Sequence, residues 1–141
     1  MQLNNHEYLT AFIDNSPTRQ ETLGADIEGA PHKAVMYNED GNIVLATDAA
    51  KAVGILLSDT HQIGADGVLK AKKSAAVTVL VKNIGLLEAG EEIAKGDLVT
   101  INDKGQGKTA ASGDFVFGRA YTAAAAAGEL VQVQINPIGK I

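Results

Sequence analysis

The sequence has no cysteine, which removes disulfides, thiolate metal ligands and thiol nucleophiles together. It has no tryptophan, and aromatic residues make up only 4% of the chain. Any core must therefore be aliphatic and rich in Ala and Val. Basic charge is also short: 12 Lys and Arg stand against 17 Asp and Glu, a formal charge of −5. Nucleic-acid binders carry a basic field, so no nucleic-acid partner is expected, and Lys70, Lys72 and Lys73 read as a solvated turn. No apolar run approaches the ~20 residues that span a bilayer. The opening MQLNNHEYLT lacks the positive start and apolar stretch of a secretory signal. A soluble chain made in a cytoplasm, with no membrane partner, is the expectation.

What is present favours one domain with an arm. At 141 residues and 45% hydrophobic content, the chain can bury a modest core. Residues 1–32 stand apart: DNSPTRQETLGADIEGAPH is polar, carries Pro17 and Pro31, and shows no sustained alternation. This stretch reads as an extended arm, with a short helix at 5–14, since Tyr8, Leu9, Phe12 and Ile13 share one helical face. Four apolar residues in a polar arm need a cover, so the segment is expected to order on a partner.

From residue 33 to 141 the pattern is β. KAVMYNEDGNIVLAT is a hairpin with Asp40, Gly41 and Asn42 as its turn. AVGILLS, residues 52–58, is short and continuously apolar, as a buried strand would be. AVTVLVKNIGLL, residues 76–87, predicts one long strand with Val77, Val79 and Val81 on a face. Further strands are expected over Leu98 to Ile101, over DFVFGRAYT with Phe115, Phe117 and Arg119 on one face, and where Val131, Val133 and Ile135 alternate with Gln132 and Gln134. Short strands, frequent turns and 15 glycines indicate an all-β barrel or sandwich. The run Ala123 to Ala127 is too short to hold a helix unaided. Between Thr122 as cap and Gly128 as stop, it is expected to be a brief helical or irregular connection.

Candidate chemistry is thin. GQGKT at 105–109 matches the end of a phosphate-binding loop, but Asn102 stands where the first glycine should, and AASGDFVFG follows instead of a helix. A glycine-rich turn is the better reading. His6, His32 and His61 are far apart and match no metal spacing. Glu88, Glu91, Glu92 and Asp97 read as a solvated acidic loop, and no calcium-loop spacing occurs. Ser58, Asp59 and His61 are triad residue types, yet local adjacency is not triad geometry. Lys104 sits in a turn like the lysine of a swinging-arm carrier, without the flanking methionines that biotin attachment uses. No catalytic residue, cofactor or metal is expected.

The segments KAVMYNEDGNIVLATDAAKAVGILLSD and VTVLVKNIG resemble the head decoration proteins of tailed bacteriophages, in which an Ala-x-Gly-Ile/Val-Leu run precedes a V-x-V-L-V strand. The second half is similar to related capsid-associated and head-fibre β-domains. It shares A-x-G-D-x-V/L (Ala94 to Val99), then G-x-A (Gly118 to Ala120), a small-residue run and a closing V-x-V (Val131 to Val133). The resemblance spans about residues 33 to 136. It implies a small β-barrel or β-tulip domain that forms a homotrimer and binds the major capsid protein on the outside of an expanded head near (quasi-)threefold positions. There it would stabilise the shell against internal DNA pressure. Tyr8, Leu9, Phe12 and Ile13 would be the capsid-binding anchors of the arm. The alternative is a receptor- or glycan-binding module of a head fibre, for which Tyr37, Phe115, Phe117 and Tyr121 are the available aromatic material.

Overall fold

In the computed structural model, which describes residues 15–29, 31–57, 62–63 and 65–141, every regular element among these residues is a strand. In chain order they are β1 Thr18–Thr22, β2 Ile27–Glu28, β3 Ala34–Tyr37, β4 Ile43–Leu45, β5 Gly54–Leu56, β6 Gln62–Ile63 and β7 Leu69–Ala71. There follow β8 Ala76–Leu80, β9 Asn83–Glu88, β10 Leu98–Ile101, β11 Gly107–Thr109, β12 Phe115–Ala120 and β13 Leu130–Lys140. They form a central sheet ordered β1-β8-β5-β3-β4, a second sheet ordered β11-β10-β12-β13-β9, and a small sheet β2-β7-β6. The fold class is all-β, as the sequence pattern requires.

The second sheet curls towards closure. Its edge strands meet where Ala89 forms an isolated parallel bridge with Gly107, and the Gly90 N–H donates to the Gly107 carbonyl at 2.7 Å. Leu87, Val99, Phe117, Ala120, Val131 and Val133 are buried inside it.

In its middle strands, both faces of the central sheet are buried. Ala34 pairs with Ile55 and Ile55 with Leu80, which places the three on one face. They pack with the second sheet's interior residues. Val35, Leu56 and Val79 are one position along, so the pleat turns them to the other face, where they join Leu23, Ile27 and Ala71. This explains why AVGILLS is apolar without alternation: β5 is a middle strand of a middle layer. Each buried Ile, Leu or Val here contributes about 1.5–3 kcal/mol.

One residue stretch joins the two large sheets. The His32 N–H donates to the Leu56 carbonyl at 3.0 Å, and the Glu88 N–H donates to the His32 carbonyl at 2.8 Å. Two residues on, the Ala34 N–H donates to the Gly105 carbonyl at 2.8 Å. A Cβ at Gly105 would lie 2.8 Å from the Ala34 carbonyl oxygen, and its φ is +72°, so glycine is required there for two reasons.

Several expectations change. The strand predicted across 76–87 is two strands in different sheets, because Asn83 takes a left-handed φ of 71° and redirects the chain. Val77 and Val79 are buried, as expected of their shared face. On β12 the pairing with β13 shifts between Val116 and Gly118. Across that shift β13 includes Pro137, which has no N–H for the ladder. Val116 and Phe117 are both buried. Arg119 therefore leaves the Phe face, is exposed, and donates from Nη1 to the Gly96 carbonyl at 2.8 Å. The alanine run is the irregular one of the two connections expected. Ala124 is buried and bridges Ile93, while the Glu129 carboxylate accepts the Ala125 and Ala126 N–H groups. Thr122 caps no helix; its hydroxyl accepts the Gln132 N–H at 2.9 Å.

The arm assigned to residues 1–32 is described only in part. Thr18 to Thr22 pair with β8 from Leu80 to Ala76, and Leu23 and Ile27 are buried in the central sheet's outer core. The helix at 5–14, with Tyr8, Leu9, Phe12 and Ile13, lies outside the described residues.

Gly54 supplies a test of the layered packing. A Cβ there would sit 2.2 Å from the Leu80 carbonyl oxygen and 2.8 Å from a Val79 methyl. Backbone inside a sheet cannot yield as a side-chain tip can. Gly54→Ala should cost about 3 kcal/mol, read as a lowered urea midpoint with unchanged slope.

Candidate functional site

The motifs with chemical overtones are occupied by structural work. Gly107–Thr109 is strand β11, and no helix follows it. Asn102 Oδ1 accepts the Lys104 and Gln106 N–H groups at 2.9 and 3.0 Å, so the glycine-rich stretch is a hairpin turn. The Thr109 hydroxyl donates to Asp97 Oδ2 at 2.9 Å. A phosphate-binding loop aims such groups at a ligand from a helix start, and here they close a turn instead. Glu88 is held by Gln106 Nε2 at 2.8 Å and by Lys33 Nζ at 3.7 Å. Glu91 and Glu92 are exposed in a turn. Lys104 is exposed at its turn, and Ser58, Asp59 and His61 lie outside the described residues.

The four aromatic candidates do not converge. Tyr37 is on the central sheet, where its hydroxyl donates to Glu21 Oε1 at 2.7 Å; that bond, first, and partial burial raise its pKa. Phe117 is in the core and Phe115 packs partly against it. Tyr121 lies just past β12, with its hydroxyl bonded to Gln134 Oε1.

The surface that does stand out is the outward face of the second sheet. Along β13, Leu130, Gln132 and Gln134 point out while Val131 and Val133 point in. Opposite them on β9 lie Glu88, Leu86 and Ile84 in turn. Ile84 is 48% exposed, Leu130 41%, Leu86 40% and Tyr121 39%. Two of the three outward pairs, Gln132 with Leu86 and Gln134 with Ile84, carry no charge. An open depression of about 500 Å³ flanks this strip, lined by Lys95, Gly96, Arg119, Ala120, Tyr121 and Gln132. Such a strip, uncharged and partly apolar along its middle with charge at its rim, has the character of a protein-contact surface.

Sequence reasoning found the inward half of these strands and missed the outward half. The signal was in NIGLLE itself: Ile84 and Leu86 share one strand face and Leu87 takes the other. A strand apolar on both faces is either buried on both or covered by something outside the domain.

With this geometry in view, the comparisons place the chain. The family model described as structural cement protein (E217 gp24/Pam3 gp6) matches residues 9–136. The chain belongs to this family of phage structural cement proteins. The match begins inside the segment assigned to the arm and takes in Leu9, Phe12 and Ile13. A solved structure described as head fiber gp8.5 N base in bacteriophage phi29 is similar in fold, with a TM-score of 0.61. The two share 18% identity over 88% of this chain and 96% of that one. No curated protein matches the chain.

Two substitutions separate the outward face from the core beneath it. Leu86→Lys should leave the unfolding free energy within about 0.5 kcal/mol of wild type. Leu87→Ala, on the neighbouring fully buried side chain, should cost about 2–5 kcal/mol. Urea unfolding of the two variants checks both.

Proposed function

We propose that this chain is a capsid cement that binds the outer surface of the expanded phage head as a homotrimer and stabilises it against internal DNA pressure. The observation that carries the reading is the cement-family match across residues 9–136, which gives the chain a structural, capsid-associated role. The major capsid protein is the partner, the virion exterior the location, (quasi-)threefold positions the sites, and the bacterial host cytoplasm the place of synthesis. The protein is not an enzyme on this reading. Asn102, Thr109, Asp97 and Glu88 are engaged in turns and inter-strand contacts, and the outward face of the second sheet is suited to another protein.

The physics of such a role is linkage. A ligand that binds only the expanded lattice stabilises that lattice by its binding free energy, and a trimer adds avidity through linked contacts. Tyr8, Leu9, Phe12 and Ile13 are the attachment anchors, and the outward face of β9 and β13 is the domain's own contact surface. The glycan-binding alternative would need an aromatic platform, and its four aromatic residues are dispersed over two sheets and the core.

Pairing of β1 with β8 sets where the arm can be cut. Removing residues 1–32 would strip the edge strands β1 and β2 together with the buried Leu23 and Ile27, so the anchors should be tested by substitution. Replacing Tyr8, Leu9, Phe12 and Ile13 together by Ser should reduce occupancy on expanded heads at least tenfold, seen by cryo-electron microscopy, with an unchanged melting temperature. Full occupancy by that variant would remove the arm from the attachment. Heads saturated with wild-type protein should also release DNA at a higher temperature than heads without it; equal release temperatures would contradict the cement role.

A further inference from the structure

We propose that His32 makes the joint between the two large sheets acid-sensitive, so that protonating its imidazole loosens the attachment of β9 to the segment leading into β3. This goes beyond capsid binding and holds for the isolated protein.

The residue is placed by its backbone. Its N–H reaches Leu56 in the central sheet, and its carbonyl receives the Glu88 N–H from the end of β9. It does so with φ at +73°, a conformation that non-glycine residues seldom adopt. The residue thereby sits at the junction, and its Nδ1 is buried with no hydrogen-bond partner.

A neutral imidazole can leave one ring nitrogen as an unprotonated acceptor, whereas the imidazolium carries N–H at both. Acid therefore converts a lone pair into a buried charged donor with nothing to receive it, and that is the more costly state. The charges around it do not rescue it. Glu88 on β9 favours the protonated form, but its carboxylate is already engaged by Lys33 and Gln106. β5 offers Gly54, Ile55 and Leu56, none charged. At the β10–β11 turn, Asp103 and Lys104 are exposed. Burial is the larger influence and Glu88 the smaller, so the histidine pKa is pulled below its ordinary 6.5.

The sign follows from that depression. A folded-state pKa below the opened-state value means the opened state binds the proton more tightly. The stability from neutral His32 is fully present above about pH 6.5 and is lost as pH falls through the folded-state value. Between pH 7.5 and 5.5, a group of ordinary pKa near 6.5 in the opened state can favour opening by at most about tenfold. The released strand end carries Glu88, two residues from the exposed Leu86, so acid loosens one end of the candidate contact face.

The test uses the full chain and hydrogen exchange at the Glu88 amide, corrected for the intrinsic pH dependence of exchange. Wild type should lose up to about tenfold in protection between pH 7.5 and 5.5. His32→Asn, which tolerates a positive φ and does not titrate, should lose measurably less. His6 and His61 are common to both proteins and cancel. The same pH response in both would overturn the proposal. An NMR titration of His32 in wild type decides it without any variant: a midpoint below 6.5 supports the joint, and one at or above 6.5 overturns it.

Discussion

The burial of β5 on both faces is the constraint on which the rest depends. Ile55 closes the core shared with the curled second sheet, and Leu56, the next residue, closes the core shared with β2 and β7. A three-residue strand thus supports two apolar clusters. Its own first residue must be glycine, because the Leu80 carbonyl approaches where a Cβ would stand. Removing alternation from β5 commits both faces to cover. The small sheet covers one face and the second sheet the other. The His32–Ala34 segment then fixes how the large sheets meet, through backbone bonds to β5, β9 and the Gly105 turn.

This arrangement leaves a division of labour. Inward residues of the second sheet are Val, Leu, Phe and Ala in a buried interior, while its outward strip is glutamine flanked by Ile84, Leu86 and Leu130. The interior supplies stiffness, since packed aliphatic cores transmit strain and do not deform continuously. The exterior supplies a surface with no charge to desolvate at two of its three outward pairs. A shell-binding protein needs both properties and needs no catalytic pocket. The engaged state of Asp97, Thr109, Glu88 and Asn102 fits that assignment, because their hydrogen-bonding capacity is spent holding turns and strands.

Much of this was legible from sequence, and the failures have physical causes. The Asp40-Gly41-Asn42 turn, the buried strand Gly54–Leu56 within the apolar run, Leu98 to Ile101 and the closing Val-Gln alternation could be read because their side-chain pattern and their local backbone agree. Residues 76–87 could not be split by pattern, since only a left-handed Asn83 reveals that the chain changes sheets. Arg119 was misplaced because a register shift beside Pro137 breaks the period-two rule. The polar stretch from Thr18 to Ile27 hid two strands, with only Leu23 and Ile27 committed to the core. The outward face was missed for a related reason: apolar residues on both faces of β9 look like ordinary burial until Ile84 and Leu86 prove exposed. Family resemblance carried the role, since glycine and aliphatic spacing encode a fold without encoding chemistry.

The central claim is that this domain recognises the expanded phage head. Co-sedimentation of the purified protein with cognate heads, before and after expansion, tests it most directly. Saturable binding to expanded heads alone is the predicted result, and the plateau gives the copy number. Binding to neither form, or equal binding to both, would contradict the account.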